Sequence, residues 1–178
     1  MPLRKRFPLL LFICLLAGYN IPRSTPTPEP VTTDLPFTQC AWSWSTQPLP
    51  ELSAKVEAAM QTAGLKGVTV RAEAYGENCI SPAGKVDHFA AMETDFHITL
   101  QIDSLTDTEK LGSPLEEILV VLDAFPTGSI PGPQPGYIGI SFRNGNDELN
   151  LWFTATAGEF ARALGLHEAA LFEELQKK

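Results

Sequence analysis

The stretch Asp95-Phe96-His97-Ile98-Thr99-Leu100-Gln101-Ile102-Asp103 decides the fold. Phe96, Ile98, Leu100 and Ile102 alternate with Asp95, His97, Thr99, Gln101 and Asp103, the period of a β-strand with one dry and one wet face. Such a strand belongs to a sheet covered on one side only. The alternation recurs upstream, where Val68, Val70, Ala72 and Ala74 face in and Thr69, Arg71, Glu73 and Tyr75 face out, with Gly76 expected to end the strand. It recurs twice downstream, through Ile138, Ile140 and Phe142 and then Leu149, Leu151 and Phe153. Arg143-Asn144-Gly145-Asn146-Asp147 between them is a hairpin signal, because Asn-Gly supplies the positive φ angles of a tight turn.

Helical periodicity fills the intervals. Leu52, Val56, Ala59, Met60 and Ala63 predict a helix from Pro50 to Ala63, with Gly64 as its stop. Ser113-Pro114-Leu115-Glu116 has the form of a capping box with proline at the first helical position, and predicts a helix to about Ala124. The Thr127–Gly136 segment, with three prolines and three glycines, reads as irregular. Thr156 with Glu159 forms a second capping box, Gly165 closes that helix, and Glu168–Lys177 forms a last one. The expected fold is therefore α+β: a single four-stranded antiparallel sheet with helices packed on one face, in the order α-β-β-α-β-β-α-α. Pro50–Asp103 and Pro114–Thr154 share a helix-strand-strand plan. Trp42 and Trp44, two apart in an extended segment, read as a lid on a sheet edge or helix, with a sugar-stacking platform as the alternative.

Ahead of this domain, assigned to residues 39–178, stand two segments of different character. In residues 1–19, Arg4-Lys5-Arg6 precedes an apolar run from Phe7 to Leu16 and a small-residue end, which reads as an export signal or N-terminal anchor too short to be an ordinary membrane span. Residues 20–38 interleave Pro22, Pro26, Pro28, Pro30 and Pro36 with serine and threonine, a tether able to extend on the order of 50 Å at roughly 3 Å per residue. Leu16-Ala17-Gly18 resembles the lipobox of bacterial exported lipoproteins, but the residue that should be the lipidated cysteine is Tyr19, and Cys14 lacks the small residues that should precede it. The resemblance covers the leader and tether alone. It implies a domain that works outside the cytoplasm, secreted or tethered to the cell envelope, with membrane contact only through the leader.

Charge and cysteines fit that address. The chain carries a formal charge of −8, and losing Arg4, Lys5 and Arg6 would make the remainder more acidic, which argues against nucleic acid or anionic lipid as a partner. Beyond the leader only Cys40 and Cys79 remain, an even pair expected to be bridged. Closing a loop of about 40 residues stabilises by roughly 3 to 4 kcal/mol in chain-entropy terms.

No cofactor motif is present, and no metal site is expected. The Glu73, Glu77, Asn78, Glu93 and Asp95 region offers carboxylates but no calcium-loop spacing. Gly-x-Ser-x-Gly, His-Glu-x-x-His and phosphate-loop patterns are absent. His97, with Asp95 and Glu73, is the one set that could serve a hydrolase as base and orienters, whereas His88 and His167 are isolated and expected on a loop or helix end. The outward rows make a better candidate. Arg71, Tyr75, His97, Tyr137, Arg143 and Trp152 would share the uncovered sheet face, mixing large amphipathic rings with charge as interaction surfaces do. The expected function is non-enzymatic binding of a protein or small ligand of the envelope through that face. The alternatives are an extracytoplasmic hydrolase near His97 and a structural envelope protein.

Overall fold

The computed structural model describes residues 40–177. The expectations for the leader, Tyr19, Cys14 and the proline tether lie outside the described residues. The elements are β1 (Ala41–Pro48), α1 (Pro50–Thr62), β2 (Thr69–Ile80), β3 (Val86–Gln101), α2 (Thr108–Asp123), β4 (Gln134–Asn144), β5 (Asp147–Thr154), α3 (Ala155–Ala163) and α4 (Glu168–Gln176). They form a mixed fold with one five-stranded sheet, ordered β1-β2-β3-β4-β5.

Two expectations about the sheet are corrected. The sheet has a fifth strand, because the Trp42/Trp44 segment is not a lid but pairs along its whole length with β2, from Ala41 opposite Ile80 to Pro48 opposite Glu73. Nor is the sheet wholly antiparallel, since β3 and β4 run parallel, with His97 opposite Gly139 and Ile98 opposite Ile140. The reason is the connection: α2 crosses over between these neighbours and returns the chain to the end where β3 began, which a parallel pair requires. Alternation along a single strand carries no information about its neighbour's direction. The element order becomes β-α-β-β-α-β-β-α-α.

Boundaries shift for local reasons. Gly76 does not end β2; it sits at a register shift where Tyr75 pairs with Glu93 but Gly76 with Ala91, and a side chain there would strike the Ala90 backbone. The strand therefore runs on to Ile80. Helix α2 starts at Thr108, earlier than Ser113, because Asp107 caps it by accepting hydrogen bonds from the backbone N–H groups of Glu109 and Lys110 at 3.2 and 3.3 Å. Pro114 lies inside the helix. The cap of α3 is Thr154, whose Oγ1 accepts from the Ala157 N–H at 3.2 Å, in place of Thr156.

The inward rows meet the helices as the alternation requires. Phe96, Ile98, Leu100, Ile138, Ile140, Phe142, Leu151 and Phe153 are buried with Leu115, Ile118 and Leu119 of α2 and Leu171, Phe172 and Leu175 of α4. Helices α2 and α4 touch closely at Gly112, where any Cβ would fall on the Glu168 backbone. Glu116 secures the same junction, its carboxylate bonding His167 Nδ1 at 2.7 Å and accepting from the Glu168 N–H at 3.3 Å. That contact holds the Glu116 carboxyl below its ordinary range.

Candidate functional site

All helices of the described residues pack on the side of the inward rows, and no described helix covers the outward rows. Strand register fixes which side chains meet there. His97 lies opposite Arg71 on β2 and opposite Gly139 on β4, and Gly139 lies opposite Trp152 on β5. Because Gly139 has no side chain, the Trp152 indole lies down across it: a Cβ at residue 139 would coincide with the ring. Lying there, Trp152 stacks on Tyr137 at 6.1 Å and 14° and reaches His97 at 5.2 Å. Trp152 is nevertheless 49% exposed and Tyr137 40%.

A second aromatic pair stands toward the β1 edge. Trp44 stacks on Tyr75 at 5.4 Å and 7°, nearly parallel, with Trp44 59% exposed. Further along the edge, Trp42 meets His88 edge-on at 5.6 Å. His88 is in β3 and not on a loop as expected, facing Cys79 across the β2–β3 pair.

Charge is arranged between these rings. Arg71 forms an ion pair with Glu73, whose other oxygen lies 3.5 Å from His97 Nε2. Partial burial, and after it the Arg71 guanidinium, push the His97 pKa below its ordinary value, so the imidazole is neutral at neutral pH. Asp95 turns to a structural task. Its Oδ1 accepts from the Tyr137 N–H at 2.7 Å, where the β3–β4 register shifts. Glu93, beside it, makes no ion pair among the described residues, and burial followed by the Asp95 charge raises its pKa. Arg143 is paired with Glu148 at 2.9 Å.

The six residues expected on one surface thus divide into three groups. Arg71, His97, Tyr137 and Trp152 come together with Glu73; Tyr75 joins Trp44; Arg143 stands apart with Glu148 near the hairpin. Both arginines are spent on neighbouring carboxylates, so the unpaired charge of the face is negative. For the hydrolase alternative, His97 keeps Glu73 as partner, but no hydroxyl or thiol hydrogen-bonds to it among the described residues. The carboxylates from Glu73 to Asp95 form no metal-holding group among the described residues, where the one such set is Cys40, Cys79 and His88. There the disulfide, with Cα atoms 4.9 Å apart, already engages both sulfurs.

The sequence reading missed Gly139, Trp44 and Glu93 as parts of this face. An outward-pointing glycine between Tyr137 and Ser141 was the available signal, but its meaning depends on which residue lies opposite. Comparison with protein-family models, curated proteins and solved structures finds no match for this chain.

Proposed function

We propose that this chain is a non-enzymatic extracytoplasmic domain that binds a cationic partner, an arginine- or lysine-bearing protein segment of the cell envelope, through its open sheet face. The observation that carries the reading is the pair of exposed aromatic stacks, Trp152–Tyr137 and Trp44–Tyr75, flanking a face whose arginines are already paired and whose Glu93 is not. Ring faces attract guanidinium and ammonium groups, worth about 0.5–1 kcal/mol each when exposed and more when desolvated. Carboxylates beside the rings add long-range attraction for the same groups. The export-like leader and the Cys40–Cys79 bridge support the extracytoplasmic address, since disulfides persist in oxidising compartments.

Titration of the protein with an oligoarginine peptide tests the reading. Saturable quenching of tryptophan emission is expected, weakening with salt. Trp152→Ala leaves every charge in place, so it separates a site from diffuse attraction to an acidic protein: the reading requires the variant to lose most of the affinity. Unchanged affinity overturns it. Saturation by a chitin oligosaccharide with no response to the peptide overturns it in favour of the sugar platform.

A further inference from the structure

On the opposite, helix-covered side lies a cavity of about 640 Å³ that the sheet-face reading does not use. Its floor is Phe96 and Ile138 of the sheet, its wall is Leu119 and Leu122 of α2, and its roof is the proline- and glycine-rich segment through Phe125 and Ile130. The roof is fixed. Thr94, buried in β3, donates from Oγ1 to the Pro131 carbonyl at 2.7 Å, and Gly132 and Gly136 lie so close to β3 that a Cβ at either would strike its backbone. A walled apolar space of this size matches the 300–1,000 Å³ typical of small-molecule sites.

Asp123 and Glu159 line this cavity and also an adjoining polar pocket with Glu116, Arg162 and His167. The apolar space therefore opens onto a carboxylate-bearing mouth. Arg162 is held by Asp123 and Glu116 by His167, which leaves exposed Glu159 with no ion pair among the described residues. We infer that this cavity binds a cationic amphiphile, an alkyl chain with an ammonium head, the chain lying between Phe96, Leu119 and Leu122 and the head meeting Glu159, the carboxylate of the mouth that no described cation pairs. An anionic amphiphile of the same length would place its carboxylate against Glu159 and is disfavoured.

Calorimetric titration with dodecylammonium and with dodecanoate, both kept below micelle-forming concentrations, reads the proposal directly. Saturable binding of the ammonium is expected, at least about tenfold tighter than that of the carboxylate. Glu159→Lys should remove that preference. Gly128→Leu should weaken both ligands by blocking the cavity, and it should fold, because a Cβ at residue 128 meets nothing within 4 Å. Equal affinity for the two amphiphiles, no saturable binding, or binding that survives both substitutions would each overturn the proposal. The sheet-face reading has a separate readout: Trp42, Trp44 and Trp152, the only tryptophans of the chain, all lie on the open face, so their emission should follow oligoarginine as strongly in Gly128→Leu as in the wild type.

Discussion

Gly139→Ala should change the sign of its effect depending on what stands at residue 152. In the wild-type background the new methyl must displace the Trp152 indole, which now lies across the glycine. Trp152 is 49% exposed, so about half of a ring that can bury 150–250 Å² is in contact, roughly 100 Å². At about 25 cal/mol per Å² the lost contact is worth up to about 2.5 kcal/mol, an upper bound. Replacing a strand-interior glycine by alanine returns about 0.5–1 kcal/mol. The net expectation is destabilisation of about 1–2 kcal/mol in the wild type. With Trp152→Ala already in place, the three atoms that stand nearest the new methyl are gone, and the same substitution should stabilise by about 0.5–1 kcal/mol. Urea denaturation of the four proteins gives the coupling energy, expected near 2 kcal/mol. Equal effects in the two backgrounds would refute the packing of Trp152 on Gly139, and with it the ring position on which the site rests.

Four further outcomes are expected. Phe153→Ala, at a side chain 2% exposed, should cost about 3–5 kcal/mol and more than Trp152→Ala on the same strand, read as shifts in urea midpoint. Gly112→Ala should destabilise by about 1–3 kcal/mol or more by forcing α4 off α2, because the obstacle is the Glu168 backbone and not a movable side chain; thermal melting checks it. Thiol labelling of denatured, unreduced protein should find no reactive thiol at Cys40 or Cys79, and reduction should lower stability by roughly 3 to 4 kcal/mol. Glu93 has a folded pKa above its ordinary 4.5, so its contribution is full at acid pH and is lost as pH rises through the folded value; Glu93→Gln should raise the denaturation midpoint at pH 7 relative to wild type and leave it little changed at pH 4.

Much of the sheet was legible because burial on one face writes a period of two into a strand. The inward rows of β3, β4 and β5, the hairpin at Asn144-Gly145 and the bridge between Cys40 and Cys79 all stand as expected. The edge strand was not legible. Ala41–Pro48 is exposed except at half-buried Ser45 and so has no buried row, and it is held by backbone pairing and the disulfide instead. The parallel β3–β4 pair escaped notice for a different reason, since strand direction is set by the α2 crossover and not by the strands themselves. The start of α2 was misplaced because Ser113-Pro114 imitates a helix beginning, while the working cap, Asp107, looks like any polar turn residue. At the site, residue types were readable but their grouping was not. That Trp152 would rest on Gly139, and that Arg71 and Arg143 would each be claimed by a carboxylate, depends on cross-strand register.

The most direct test of the binding face is residue-resolved: backbone amide shifts of the isotopically labelled protein during titration with oligoarginine. The account predicts saturable changes confined to the open face, centred on His97, Tyr137, Gly139 and Trp152 and extending to Tyr75 and Trp44. Changes centred on the outer surfaces of α2 and α4, or spread evenly over the acidic surface, would contradict it.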